Sequence, residues 1–304
     1  MAAEKKKSMQ SFFGLMQDII LNLRQMGKFR TAENYVTAQK SFMKFLNQTY
    51  MPLSGIDQDL IRRYEAYLIE RGITKNTTSF YMRILRAVYN RAVEQDFTEQ
   101  KYPFKYVYTG IDKTMKRAIS FETIRRIKNL DLERYSSIDF ARDMFMFSFY
   151  TRGMSFIDMA YLRKSDLRKG IIIYRRRKTG QQLYIKWECC MQEIITKNVS
   201  NCDSPYLLPI LKPPFDNHRK QYRNKLMQVN KSLKTIAKLV GMDESLTMYV
   251  ARHSWASIAR SKDIPISVIS EGLGHNSEAT TQIYLASLDT AIIDHANYKI
   301  LKDL

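Results

Sequence analysis

Cysteine and histidine are scarce in this sequence. Its 304 residues include three cysteines, Cys189, Cys190 and Cys202, and four histidines. Three thiols cannot form a disulfide framework, and neither residue type shows the spacing of a zinc site. A phosphate-binding P-loop is also missing. The sequence therefore predicts free thiols, no metal and no cofactor.

Long apolar runs are missing as well. No stretch approaches the roughly 18 residues that a membrane-spanning helix needs, and no apolar secretory segment follows the basic start MAAEKKKS. Apolar residues still make up 45% of the chain, which suffices for a buried core. These features predict a cytoplasmic protein with no membrane partner.

Acidic residues are few in comparison with basic ones. Lysine and arginine number 49 against 30 aspartates and glutamates, a net charge of +19. The excess is spread along the chain, so a broad basic surface is expected, and such a surface favours a polyanionic partner such as DNA. Charge alone leaves open a basic enzyme with no nucleic-acid partner.

The hydrophobic pattern divides the chain near residue 105. Residues 1–100 show apolar positions at helical spacing with a good N-cap at Asp57, which predicts a helical domain. Residues 101–118 lack periodicity and are rich in lysine and tyrosine, which indicates a linker. Residues 119–304 alternate helical patterns with a hairpin signature over 171–187. The predicted fold class is mainly α with a small antiparallel β-sheet.

Two motifs near the C-terminus give the pattern a family likeness. They are TMYVARHSWASIAR, residues 247–260, and EGLGHNSEATTQIYL, residues 271–285. An Arg-His-Ser, then a Leu-Gly-His, then a tyrosine nine residues later resembles the tyrosine recombinase (phage integrase) family over nearly the whole chain. The resemblance implies a helical, SAM-like core-DNA-binding domain followed by a mixed α/β catalytic domain.

The resemblance also implies catalytic roles. Tyr284 matches the nucleophile that forms a 3′-phosphotyrosine, and His275 and Arg252 match residues that contact the phosphate or the nucleophile. Family precedent makes Lys178 the general acid for the leaving 5′-oxygen. A phenol with a pKa near about 10 needs cationic surroundings to react at neutral pH. Neither ATP nor a metal is implied.

The chain departs from the family pattern in the box that contains Arg252. The family reads His-x-x-Arg, whereas this chain has Tyr249 in the first position. A phenol can bond a phosphate oxygen but cannot shuttle protons near pH 7. Phosphate contact and simple packing both remain open for Tyr249.

A second departure concerns the first family arginine, whose position is occupied by Ser155. A serine cannot offset the charge of a pentavalent phosphorane, so another cation is needed. Arg152 lies three residues earlier, on the same face only if one helix spans both. Arg176 lies two residues before Lys178 and would share its side of a strand. We favour Arg176 of the two.

The same alternation points Arg175 and Arg177 to the opposite side of the strand, where they either meet solvent or contact flanking phosphates.

The family resemblance implies a site-specific recombinase that integrates, excises or inverts a DNA segment. Its expected partners are double-stranded DNA with inverted-repeat core sites and three further copies of itself, in a homo-tetramer on two sites. It also allows a host DNA-bending protein, a nucleoid-associated location, and a C-terminal segment, residues 285–304, packed on a neighbouring protomer or in cis. Lack of the first arginine resembles Bacteroides-type mobile elements. A type IB topoisomerase and an inactive DNA-binding protein are the alternatives.

Overall fold

The computed structural model describes residues 11–112, 118–134, 136–198, 204–214, 217–285, 298 and 301–302. The chain forms two compact units, Met1–Thr114 and Met115–Leu304. Within the described ranges, no helix is both long and apolar enough to cross a membrane.

The described part of the first unit is helical. Its helices are α1 (Phe12–Gln25), α2 (Phe29–Leu46), α3 (Gln58–Glu70) and α4 (Lys75–Glu94), with a 3-10 turn at Leu53–Gly55. Side chains cap two of the helix starts, because Ser11 Oγ accepts from Gly14 N at 2.9 Å and Asp57 Oδ1 accepts from Leu60 N at 2.8 Å.

Aromatic rings fill the core of this unit. Phe42 and Tyr64 are fully buried, and their ring centroids lie 4.8 Å apart. Two residues from the stretch after α4, Phe104 and Val107, are buried in the same core. Burying one such side chain contributes about 1.5–3 kcal/mol, so residues 104–107 are held to the first unit.

The second unit is built around α6 (Ser137–Tyr150), which is apolar on most sides and contacts four other helices. Ser136 caps α6 by accepting from Asp139 N at 3.1 Å. The surrounding helices are α5 (Phe121–Lys128), α7 (Phe156–Ala160), α8 (Cys189–Asn198), α9 (His218–Leu239), α10 (Met248–Ser261), α11 (Ile266–Leu273) and α12 (Glu278–Leu285).

A small antiparallel sheet lies at one side of the second unit. Its strands are β1 (Leu167–Arg168), β2 (Ile171–Arg175) and β3 (Gln182–Lys186), in the order β1-β2-β3. Tyr174 pairs with Leu183 and Ile172 with Ile185, and all four side chains are buried, so one face of the sheet packs on the core. The predicted fold class is confirmed.

Candidate active site

Arg252 is the buried cation at the centre of the site. It lies on α10 and is only 4% exposed. Its Nη1 donates to Gly153 O at 3.0 Å, and its Nη2 donates to Leu273 O and lies 3.1 Å from His275 Nε2. A buried charge is tolerated when it is hydrogen-bonded, so these acceptors hold the guanidinium in one orientation.

The loop before α7 reaches Arg252 because it contains Gly153. A Cβ placed on Gly153 would lie 2.6 Å from the Cα of Arg252, and its φ is +76°. The close backbone approach excludes a larger residue, and the left-handed φ favours glycine as well.

The end of α11 brings a second arginine to the same place. Gly274 follows Leu273 with φ +64°, and its carbonyl accepts from Arg176 Nη1. Carbonyls at a helix C-terminus carry partial negative charge, which favours the two guanidinium groups on Leu273 O and Gly274 O. The Leu-Gly-His turn thus joins Arg252 to Arg176.

Burial alternates along the arginine run after β2. Arg176 is 7% exposed, whereas Arg175 and Arg177 are exposed. Arg175 Nη1 donates to Gly180 O at 3.3 Å, and the guanidinium of Arg177 lies 4.0 Å from the centroid of the Tyr161 ring. Arg176 is therefore turned inward, and the arginines on either side of it are turned outward, although only Arg175 belongs to β2.

Lys178 lies differently from the sequence expectation. β2 ends at Arg175, and Lys178 lies exposed in the turn that follows. The turn closes early because Gly180 N donates to Arg176 O at 2.8 Å. The expectation that Lys178 shares a strand face with Arg176 is therefore wrong, because Lys178 belongs to the turn and not to the strand.

His275 is held from both ring nitrogens. Nε2 faces Arg252, and Nδ1 lies 2.8 Å from Thr281 Oγ1. A guanidinium can only donate, so Nε2 accepts and the ring proton sits on Nδ1. Burial lowers the pKa of His275 to about 4, with the charges of Arg252, Arg176 and Lys178 acting in the same direction. The imidazole is therefore neutral at pH 7.

Tyr284 lies on α12, three residues after the buried Thr281. Its side chain lies outside the described residues, as does most of the segment after Leu285 for which intermolecular packing is expected. Among the residues that the structure does describe, no group of histidine, cysteine or carboxylate side chains could hold a metal ion.

Comparison with known protein families follows the division of the chain. Residues 11–108 match the Phage integrase SAM-like domain. Residues 117–291, more than half of the chain, match the Phage integrase family. The chain belongs to the phage integrase family. It is accordingly a site-specific tyrosine recombinase, an enzyme that breaks and rejoins DNA, and the topoisomerase and inactive-binder alternatives are not favoured.

Individual relatives agree with this family assignment. Over 264 residues the recombinase is 23% identical to the tyrosine recombinase XerC of Leptospira interrogans, covering 84% of this chain and 82% of that protein. It is 25% identical over 262 residues to the tyrosine recombinase XerA of Pyrococcus horikoshii, covering 78% and 86%.

Solved structures share the fold. A lambda integrase in a dimer bound to a core site superposes with a TM-score of 0.70 at 15% identity, covering 91% of this chain and 95% of that one. The Tn1549 transposon integrase, in complex with transposon end DNA, gives 0.66 at 15% identity, covering 96% and 99%.

Ser155 of the recombinase is engaged in local structure. It caps α7, and its Oγ donates to Asp158 Oδ2 at 2.6 Å. Asp158 is 4% exposed, and its Oδ1 accepts from Arg177 N at 2.9 Å. This carboxylate ties the hairpin turn to α7. We did not single it out from the sequence, where only its place three residues after an N-cap serine marks it.

Arg152 lies in the loop between α6 and α7, with φ +58°. One helix therefore does not span Arg152 and Ser155, so the two side chains do not lie on one helix face. Within the described part of the chain, its guanidinium has no hydrogen-bond or ion-pair partner. Burial is the main cause that raises the pKa of Tyr174, and the charge of Asp158 acts in the same direction. The charges of Arg176, Arg252 and Arg152 oppose this rise.

Tyr249 lies near the start of α10 and is 53% exposed. Its ring packs edge-on against His253, with centroids 4.7 Å apart. The contact agrees with the packing interpretation, and the exposed part of the ring remains accessible to a ligand.

Proposed function

We propose that the recombinase cleaves DNA with Tyr284 as nucleophile, at a phosphate bound by Arg252 and Arg176. The observation that carries this proposal is the convergence of Arg252, Arg176 and His275 on the turn after α11. Two buried guanidinium groups form an anion site, because each can bond two phosphate oxygens. α12, which carries Tyr284, begins directly after this turn.

The reaction is a transesterification. The Tyr284 oxygen attacks phosphorus, the bond from phosphorus to the 5′-oxygen breaks, and a 3′-phosphotyrosine forms. Lys178 donates the proton that the leaving 5′-oxygen takes up. Neutral His275 can accept the phenolic proton once phosphate draws Arg252 away from Nε2. Attack by a 5′-hydroxyl from another strand reverses these steps and rejoins DNA.

Arg176 fills the vacancy left at Ser155. It is buried beside Gly274, whereas the Ser155 hydroxyl is bonded to Asp158. Losing one donor to an oxyanion typically costs about 100- to 1,000-fold in rate, so a recombinase without a second cation would be nearly inactive. Arg152 is the second candidate, because its guanidinium makes no hydrogen bond or ion pair within the described residues and its charge acts on Tyr174 together with those of Arg176 and Arg252.

The remaining site residues are assigned to DNA contact. The exposed Arg175 and Arg177 flank the hairpin turn and would contact phosphates beside the cleaved one. Exposed Tyr249 would donate to a phosphate oxygen.

The sequence predicted residues 1–100 as the core-binding domain, 101–118 as a linker and 119–304 as the catalytic domain. Because Phe104 and Val107 are buried in the first core, we propose that the core-binding domain extends through Val107 and that the linker begins after it.

The proposed partners are duplex DNA with inverted-repeat core sites and three further copies of the chain. A related lambda integrase has been solved as a tetramer bound to a Holliday junction, which supports this assembly. A host DNA-bending protein, a nucleoid-associated location and an origin in a Bacteroides-type mobile element complete the proposal. The last rests on Ser155 and Tyr249.

The test begins by finding the DNA site. Denaturing capture of protein-linked DNA from cells expressing the recombinase, followed by sequencing, gives the cleaved sequence. A duplex of that sequence then traps the intermediate. It carries a nick just beyond the cleavage site, so the short fragment with the free 5′-hydroxyl diffuses away and cannot rejoin the DNA. We expect a covalent adduct with the wild type and none with Tyr284→Phe. An equal adduct with Tyr284→Phe, or none with the wild type, would reject the proposal.

A further inference from the structure

We propose that Thr281 is a positioning residue: its hydroxyl fixes the ring of His275 and couples that ring to the helix that carries Tyr284. This inference rests on the proposed function. It concerns a residue that the sequence motifs did not single out, and it concerns the organisation of the site before DNA binds.

The contacts of Thr281 are specific. The residue is fully buried on α12, and its Oγ1 lies 2.8 Å from His275 Nδ1. The neighbouring Thr280 is exposed, and its Oγ1 lies 3.2 Å from the hydroxyl of Ser277. Of two adjacent threonines, the one turned inward contacts the site.

The bond stabilises the tautomer of His275 that Arg252 selects. Arg252 donates to Nε2, so that nitrogen must be unprotonated. Thr281 supplies an acceptor for the Nδ1 proton, and losing this hydrogen bond costs about 1–3 kcal/mol. Ring rotation or the other tautomer would then compete, and either would oppose a donor to Arg252.

The same bond links two elements. His275 belongs to the turn after α11, and Thr281 lies on α12, one helical turn before Tyr284. α12 also packs on α10 and α11. The position of the helix that carries the nucleophile is therefore tied to the residue that is to take its proton.

The charged groups that face His275 do not depend on Thr281. Among the residues that the structure describes, they are Arg252 from α10, and Arg176 and Lys178 from the hairpin, and all three are cationic. Removing the hydroxyl leaves these charges in place, so His275 stays neutral at pH 7. The rate should fall through misorientation, with the same relative loss at every pH from 6.5 to 8.

The experiment compares Thr281→Val with Thr281→Ser and with the matched control Thr280→Val. On the nicked duplex, Thr281→Val should form adduct about 10- to 100-fold more slowly, by analogy with the loss when the hydrogen-bond partner of a metal-bound histidine is removed. Thr281→Ser should recover most of the rate, and Thr280→Val should match the wild type. DNA affinity, measured by fluorescence anisotropy, should be equal in all four proteins.

A spectroscopic measurement separates positioning from general damage. In ¹⁵N-histidine spectra, His275, assigned by its loss in His275→Gln, should be the Nδ1–H tautomer in the wild type and a mixture in Thr281→Val. If Thr281→Val does not fold, Thr281→Ala replaces it, and the same slower adduct formation and mixture of tautomers are expected. An unchanged rate and tautomer in the variant that lacks the hydroxyl overturns the inference. A wild type without adduct rejects instead the proposed function.

Discussion

Replacing Gly274 with alanine tests the geometry of the site directly. This glycine joins the two arginines, because its carbonyl accepts from Arg176 and Leu273, before it, accepts from Arg252. Its φ is +64°, and an added Cβ would lie 3.0 Å from Arg176 Cδ, 3.1 Å from Gln181 Oε1 and 3.1 Å from Leu183 Cδ1. Backbone strain and steric crowding therefore act together.

Gly241 separates these two effects. It follows α9 with φ +69°, and an added Cβ would meet nothing within 4 Å. Gly241→Ala therefore carries only the cost of the left-handed region, about 1–2 kcal/mol. Gly274→Ala adds the cost of overpacking, about 1–3 kcal/mol, and displaces Arg176 as it does so. We expect about 2–5 kcal/mol in total.

Tryptophan fluorescence during urea unfolding measures this difference. The two tryptophans, Trp187 and Trp255, both lie in the second unit, so the signal reports that unit alone. Gly274→Ala should unfold at clearly lower urea than Gly241→Ala. Its rate of adduct formation should fall at least about tenfold, because a rise of about 1.4 kcal/mol in the activation free energy lowers a rate tenfold. Gly241→Ala should keep the wild-type rate. Equal behaviour of the two variants in both assays would refute the reasoning.

Two further predictions concern His275 and Lys178. The pKa of His275, at about 4, lies below the roughly 6.5 of a free imidazole, so the unfolded chain binds the proton more readily between these values. The free energy of unfolding of the second unit should therefore fall as pH drops from 6.5 to 4. In the same fluorescence assay, His275→Gln should lack that part of the loss. An identical dependence of stability on pH in His275→Gln and the wild type would contradict the lowered pKa. Lys178→Ala should lose cleavage of ordinary DNA but should cleave a duplex with sulfur in place of the leaving 5′-oxygen. A thiolate leaves without a general acid, because the pKa of a thiol is about 8.5. Failure of Lys178→Ala to cleave the sulfur substrate would argue against Lys178 as the general acid.

Helix limits and the hairpin follow from local chemistry and are therefore readable from the sequence. Asp57 and Ser120 begin helices because their side chains accept from backbone N–H groups three residues on. Residues 171–187 form a hairpin because buried side chains alternate on both strands. These signals depend on neighbours a few residues away.

The contacts within the site depend on residues far apart in sequence. Arg176 and Gly274 are separated by 98 positions, and Arg252 and His275 by 23. From the sequence, only the family resemblance indicated that Arg252 and His275 lie together. Nothing in the sequence indicated that Arg176 would donate to the turn that contains His275. The bond of Asp158 to Arg177 N was missed for the same reason, since it spans 19 positions. Thr281 lies only six residues from His275, and its role was missed because the motif does not show which of two adjacent threonines turns inward.

The end of the strand was also beyond the sequence pattern. The sequence prediction extends the strand through Lys178, yet β2 ends at Arg175 and the hydrogen bond from Gly180 N to Arg176 O closes a turn that contains Lys178. Turn closure depends on which carbonyl the glycine reaches, and a residue pattern does not contain that information.

The rates of adduct formation for Arg176→Ala and Arg175→Ala on the nicked duplex test the substitution for the missing arginine most directly. The two residues are adjacent and equally charged, but one is buried beside Gly274 and the other is exposed. We predict that Arg176→Ala loses about 100- to 1,000-fold, while Arg175→Ala stays within a few-fold of the wild type. Normal cleavage by Arg176→Ala, with or without loss in Arg175→Ala, would contradict the role assigned to Arg176.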